Sequence, residues 1–399
     1  MDEAGPHFAN HAGAGIDGCR YPFTSFQDTL KVVPNLVSTL RQDSPVHAPA
    51  APAEAGYPRL VADIGGSNAR FGWVAGPGAP VSHVHKLPVA AYAGPVQAAQ
   101  AYLAGLAGLA PAGAPGAQLG AEPGAQVVAD SRAPRHAAFA VATAVAGDRI
   151  AFTNSHWAFS RDEVQAALGL QSLLLLNDFE SLALSLPGLG AAQLRAHGGR
   201  LPQATGTLAV VGPGTGLGVG AVVQARCGWV AIAGEGGHAT LAPADALESA
   251  LLACVRRQYP HVSAERLLSG IGLPLLHQAL GEVLGAAPAA LTPAEIIATA
   301  QANGDALCGR TLDLFCALLG GFAGNVALTV GARGGLYIGG GIVPRFADRF
   351  FASAFRERFE AKGRFSGYLA AIPTALITDT LAALGGAALA IEQQVALVD

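Results

Sequence analysis

The chain has 399 residues, of which 51% are hydrophobic and 13% charged, with 52 glycines and a formal net charge of −4. That length accommodates two domains with buried cores, and the absence of a long basic run excludes a dedicated nucleic-acid binder, whose affinity comes from phosphate neutralisation. The five cysteines (Cys19, Cys227, Cys254, Cys308, Cys316) form no CxxC pair, so they read as reduced thiols rather than a disulfide or zinc framework.

Residues 1–57 mix proline, alanine, histidine and scattered charge and close on "SPVHAPAAPAEAGYP". They read as a flexible extension, in which Phe26, Leu30 and Val33 give at most a short amphipathic turn before Pro34. The opening "MDEAGPHFANH" is acidic and lacks the basic-then-apolar order of a signal peptide. Order begins with "RLVADIG", "ARFGWVA" and "VSHVHKLP", whose alternation and turn residues predict an antiparallel meander. A helix over 92–107 follows, then a Gly/Ala/Pro tract at 108–126 that reads as a mobile insertion, then a buried strand in "HAAFAVATAVAGD". "SRDE" at Ser160–Glu163 and "TPAE" at Thr292–Glu295 match the capping box and place "DEVQAALG" and "PAEIIATAQANGDAL" on helices. From Thr207 to Gly234 the pattern of strand, glycine turn, strand, turn, strand returns, about 147 residues after its first appearance, and points to a duplicated β-meander/α architecture. Leu314 to Ala332 is uncharged and long enough to span a membrane, but its four glycines, Asn325 and Thr329 make it a buried helix ended by Gly331.

Six stretches carry groups suited to chemistry. In "ADIGGSN" the N–H groups of Gly66, Ser67 and Asn68 can converge on an anion, with the Ser67 hydroxyl beside them and Asp63 placed for a hydrated Mg²⁺. An ordinary hairpin turn explains the same glycines. "VVGPGTGLGVG" alternates glycine from Gly212 to Gly220, which is neither a dinucleotide fingerprint nor a Walker A loop. Its bare face admits a ligand or another backbone, and Thr215 offers a second phosphate donor. In "LLLLNDFESLALSLP", Leu173–Leu176 form a buried strand ending at Asn177 and Asp178, where a carboxylate suits general-base work on a hydroxyl or caps the next helix. Glu235 and His238 in "AGEGGHATLAP" flank two glycines that leave room for a polyhydroxylated ligand, and are too few for zinc. Glu265 and Arg266 in "HVSAERLLSGIGLP" open a helix and in isolation read as a solvated pair. In "GGLYIGGGIVPRF" a buried strand breaks at Gly339–Gly341, where bare backbone can take a flat base or simply turn into a helix.

Taken in order, these six stretches resemble the bacterial ATP-dependent glucokinase family of the hexokinase/actin/chaperone superfamily, from about Leu60 to Ala390. "TNSHWAFS" (153–160), "GIVPRF" (341–346) and "FEAKGRF" (359–365) extend the resemblance. It implies an α/β, two-lobed actin/hexokinase-like (ribonuclease H-like) fold with duplicated β-meander/α units and a cleft between the lobes. The small domain would cover 58–188, completed by a C-terminal helix at about 380–399, and the large domain 189–379, with 1–57 as the extension. The resemblance makes Asp63, Ile64, Gly65, Gly66, Ser67 and Asn68 the first phosphate loop, with Asp63 toward the metal. It makes Gly214, Thr215 and Gly216 the second. Asp178 would be the catalytic base and a sugar contact, with Asn177, Glu235, His238 and Glu265 on the other sugar hydroxyls, and Gly340 and Gly341 would border the adenosine. Glucose, ATP and Mg²⁺, a homodimer and a cytoplasmic location are implied, without nucleic-acid or membrane partners.

The sequence departs from that pattern at Ser67, which replaces a threonine but keeps the hydroxyl, and at Ala144, near a turn where proline is common. Residues 1–57 and 108–126 have no family counterpart. Alternatives on the same fold are a hexose kinase with another sugar or a polyphosphate donor, and a non-catalytic sugar-responsive regulator. The cysteine-rich zinc segment of the ROK group is missing. Residues 1–57 also hold too little periodicity and too few basic residues for a DNA-binding helix pair.

Overall fold

The computed structural model describes residues 56–106, 133–152, 155–226, 228–302 and 304–396. Almost all of the expected N-terminal extension, the 108–126 tract, Cys19 and Cys227 lie outside the described residues. Tyr57, assigned to the extension, is instead buried in a core cluster with Val61 and Val74.

The first half of the chain runs β1 (Arg59–Ile64), β2 (Asn68–Val74), β3 (Ser82–Pro88), α1 (Pro95–Leu106), β4 (His136–Val141), β5 (Arg149–Ala151), β6 (Ala158–Ser160), α2 (Arg161–Ala167), β7 (Ser172–Asn177) and α3 (Asp178–Ser185). β1, β2 and β3 form the expected antiparallel meander, and β4 and β7 continue it in parallel, giving the order β3-β2-β1-β4-β7. Central parallel strands must be apolar on both faces, and every residue of β4 after His136 is buried. α1 begins at Pro95, three residues later than expected, because proline fits the first helical position, where no amide donor is needed.

The second half repeats the plan. After β8 (Leu194–Ala196) come β9 (Thr207–Pro213), β10 (Leu217–Ala225) and β11 (Gly228–Ile232), then α4 (Ala246–Arg256), α5 (Gly272–Val283), α6 (Pro293–Gln301), α7 (Ala306–Val330) and β12 (Gly335–Ile338). α8 (Ala347–Ala352), α9 (Phe355–Glu360), α10 (Ser366–Ala370), β13 (Thr374–Ile377) and α11 (Ala382–Ala396) complete it. The sheet order β11-β10-β9-β12-β13 matches the first sheet position for position, with β8 added antiparallel at the far edge. The duplication read from the glycine turns is therefore a duplication of whole sheets, and the fold is two-lobed α/β.

Small residues let the helices approach closely. Gly320 and Gly324 of α7 face the carbonyls of Phe355 and Phe359 on α9, where a methyl group would collide. α7 contains most of the uncharged stretch of spanning length, preceded by a first part that carries Arg310 and Asp313, and Leu312, Phe315, Leu319, Phe322 and Ala323 bury it in the larger core, with Gly331 ending it in the left-handed region at φ 66°. The predicted helix over "PAEIIATAQANGDAL" is two helices. α6 starts on a full Thr292–Glu295 capping box and stops at Gln301, and Asp305 accepts from Leu307 N–H to start α7. α2 carries half of its expected box: Ser160 accepts from Glu163 N–H, while Asp148 accepts from Asp162 N–H at 2.9 Å.

Candidate active site

Asp63 lies near the end of β1, paired in register with Arg70 across the Gly65–Gly66 turn, and its Oδ2 accepts from Arg70 Nη1 at 2.9 Å. Burial raises the Asp63 carboxyl above its ordinary range, and the Arg70 charge opposes that rise. Arg70 was not among the expected site residues, although its position seven residues after Asp63 across a two-glycine turn was the available signal. The turn itself is braced: Gly65 N–H donates to the Asn68 carbonyl, Ala142 N–H to Ile64, and Val89 N–H to Ser67. Ser67 is exposed at its tip.

The matching turn of the second sheet carries Gly214, exposed Thr215 and Gly216 between β9 and β10, closed by Gly214 N–H to the Gly216 carbonyl at 2.8 Å. Glu265 reaches this turn from another segment, its Oε2 accepting from Leu217 N–H at 2.8 Å. A side chain at Gly216 would occupy the place of that carboxylate. The Glu265 N–H donates to Gly237, and its Oε1 stands 3.8 Å from His238 Nε2. Glu265 therefore sits in a turn before α5, not at a helix start, and Arg266 stacks on Tyr259 instead of pairing with it. The two glycines between Glu235 and His238 also have a different role from the one expected. A Cβ at Gly236 would press on Val219 and one at Gly237 would strike the Leu217 carbonyl, so they let the loop close onto β10.

The alternating glycines divide by position. Gly214 opens to free space, whereas Gly212, Gly218 and Gly220 lie under Phe179 of α3. The bare face is filled by a helix, and only the turn is open to a ligand. The late glycines divide likewise: Gly340, at φ 76°, would drive a Cβ into the Pro213 carbonyl, while Gly341 borders open space. Gly270 N–H donates to Gly214, which brings Ile271, 71% exposed, beside the second turn.

Asp178 is the first residue of α3. Asn177, not Asp178, is the cap: its Oδ1 accepts from the Phe179 and Glu180 N–H groups, and its Nδ2 donates to Thr143 at 3.2 Å. Asp178 Oδ1 accepts from Phe179 N–H at 2.9 Å. Burial, then the charges of Asp63 and Glu235, push the Asp178 carboxyl up to about 6, against the lowering effect of the Phe179 N–H. These couplings bring Asp63, Asp178 and Glu235 into one neighbourhood. Glu265 and His238 join it through the second turn, and Gly340 and Gly341 lie on that turn's β9 side. Two neighbouring carboxylates with raised proton affinity, Asp63 and Asp178, suit a hard divalent cation, and Asp63 keeps Oδ1 uncommitted to Arg70.

Two other features do not compete with this one. An apolar groove of about 520 Å³ lined by Val81, Leu184, Trp229 and Leu389 contains none of the candidate residues. His277, Asp305 and Cys308 bring possible ligand atoms within 4.8 Å. However, Asp305 caps α7 and accepts from the Cys308 thiol, while His277 bonds Thr311, so hydrogen bonding accounts for the trio.

A family model described as Glucokinase matches residues 60–394. A glucokinase of Chromobacterium violaceum is 48% identical over 332 residues, covering 83% of this chain and 88% of its own. One of Neisseria meningitidis is 45% identical over 339 residues, covering 85% and 96%. The crystal structure of a glucokinase from an Antarctic psychrotroph is similar at TM-score 0.73 and 34% identity, covering 84% of this chain and 98% of that one.

Proposed function

The chain belongs to the glucokinase family, and from that premise we propose that it transfers the γ-phosphoryl group of ATP to the 6-hydroxyl of glucose, giving glucose 6-phosphate and ADP. The observation that carries the mechanism is Asp178 itself, a carboxyl at a strand end, tied at Oδ1 and pushed up to about 6 by burial and by neighbouring carboxylates. A base with that affinity is ionised at neutral pH yet strong enough to take a hydroxyl proton as the oxygen attacks phosphorus.

In this reading Asp178 receives the proton of the 6-hydroxyl. Asn177, Glu235, His238 and Glu265 hold the remaining hydroxyls, so that a wrong epimer leaves buried polar groups unmet. The backbone and hydroxyl donors of Gly66, Ser67 and Asn68 and of Thr215 and Gly216 face the phosphates, in turns that the Gly65 and Gly214 N–H groups close, and Gly341 borders the adenosine. Phosphoryl transfer asks for positioning and charge stabilisation more than covalent chemistry, and two cradles on two lobes supply both. Asp63 would hold Mg²⁺, which supplies charge neutralisation on the phosphates. Lobe closure would keep water from taking the phosphoryl group. We take 58–188 with the C-terminal helix as the small lobe and 189–379 as the large. The packing of α11 against β1 and β4 supports that division. A cytoplasmic homodimer completes the reading on the family resemblance, and size-exclusion chromatography with light scattering tests the dimer.

The decisive experiment is a coupled assay over a panel of sugars with ATP or polyphosphate and Mg²⁺, run on the full chain and on Asp178→Ala. Glucose with ATP is expected to be the active pair. Asp178→Ala should lose turnover by at least a hundredfold while glucose binding persists. Retained turnover in Asp178→Ala would remove it as the base.

A further inference from the structure

We infer that Phe179 is a positioning residue for Asp178, held in place by the glycine face of β9 and β10; the inference rests on the reading of Asp178 as the base. Phe179 touches two things at once. Its N–H donates to the Oδ1 of both Asn177 and Asp178, each at 2.9 Å, so this one amide fixes the cap of α3 and one oxygen of the reacting carboxylate. Its ring lies on the second sheet. A Cβ at Gly218 would overlap the ring edge, one at Gly212 would stand 2.5 Å from Cζ, and one at Gly220 would stand 2.7 Å from the Phe179 carbonyl oxygen.

Gly218 and Gly220, two apart on β10, and Gly212, opposite Gly218 on β9, line one face of the strand pair, and here that face is a socket for the ring and backbone of Phe179. The socket is needed because α3 has only eight residues. A helix that short does not hold its own first turn, so tertiary contacts set it. α3 follows β7 of the first sheet, while Phe179 seats on the second. The ring thus registers the carboxylate of one lobe against the Gly214–Gly216 turn, which the same β9–β10 hairpin carries. With Oδ1 tied back by Phe179 N–H, Oδ2 is the oxygen left to face a hydroxyl. A shift of the ring moves the amide, and with it the direction of the carboxylate.

The test uses Phe179→Leu, Gly218→Ala and the double variant in the full chain, with kcat, glucose KM, glucose Kd and melting temperature measured for each. A misplaced catalytic group costs up to roughly a hundredfold, so each single variant should lose at least tenfold in kcat, with glucose Kd within threefold of the parent. Leucine vacates part of the socket, so the double variant should recover at least threefold in kcat over Gly218→Ala. If Gly218→Ala does not fold, Phe179→Leu is read alone, through kcat and the acid limb of its pH profile. Single variants that keep kcat within twofold and lose only melting temperature would overturn the inference. If the parent makes glucose 6-phosphate, Asp178→Ala is inactive and Phe179→Leu is unimpaired, the positioning role fails while the base survives. If Asp178→Ala is itself active, the underlying reading fails instead.

Discussion

Replacing Asp178 by asparagine should make the protein more stable while abolishing its turnover. The side chain keeps its shape, and its Oδ1 still accepts from Phe179 N–H, so the start of α3 is preserved. What disappears is a negative charge that the fold disfavours. The carboxyl rises from 3.8 to about 6, which at ~1.4 kcal/mol per unit means that ionising it costs the folded state about 3 kcal/mol. The sign follows from proton binding. Between pH 3.8 and about 6 the folded chain keeps a proton on Asp178 that the unfolded chain has released, so stability falls as pH rises through that window. The gain in Asp178→Asn should therefore be full above about pH 6 and absent below about 4. For a chain of this size it corresponds to a rise on the order of 5 °C in melting temperature at neutral pH. Thermal melts of both proteins from pH 3.5 to 8 measure it. The parent's kcat/KM for glucose should fall tenfold per unit below about pH 6, as the same group takes up its proton. A variant no more stable than the parent at pH 7.5, or one whose advantage persists at pH 4, would refute the account of Asp178 as a carboxylate crowded by burial and by Asp63 and Glu235.

Three further substitutions separate binding from architecture. Glu265→Gln keeps an acceptor for Leu217 N–H but removes the charge, and hydrogen bonds to charged groups contribute about 1.5–3 kcal/mol. Glucose KM should therefore rise roughly tenfold or more with little loss of melting temperature, and an unchanged KM would leave Glu265 with only its structural bond. Gly340→Ala should cost about 1–3 kcal/mol through its positive φ and the Pro213 carbonyl. Gly341→Ala meets open space and should leave the melting temperature unchanged while raising KM for ATP. A Gly341 variant with unaltered ATP kinetics would take that residue out of the nucleotide site.

What the sequence declared of itself was what depends on neighbours in the chain. Both meanders, the Thr292 cap, the Gly331 stop and the position of Asp178 at a strand end follow from alternation, turn residues and caps, and they stand in the structure. What it withheld depends on distant packing. Gly212, Gly218 and Gly220 were legible as a bare face, but which body covers that face is decided by α3, which precedes them by some thirty residues or more. Gly236 and Gly237 were assigned to making room for a ligand, and they make room for β10 instead. The tie from Glu265 to Leu217 spans 48 residues and no local pattern announces it. The resemblance supplied the list of site residues. The structure adds the partners that hold them, Arg70 and Phe179 among them.

α11 bears on how the protein comes into being. It lies on β1 and β4 of the first sheet, its Gly386 sits under the Ser181 carbonyl of α3, and Gln393 exchanges two hydrogen bonds with the Trp229 backbone. Its Leu384, Ala387 and Ile391 close the core around Val61 and Ala138. During synthesis the first lobe must therefore leave the ribosome with one face uncovered and wait while more than 200 further residues are translated. A nascent chain stalled before residue 382 should expose that face, bind holdase chaperones and be cut by proteases within β1–β4, and extension through residue 396 should end that vulnerability.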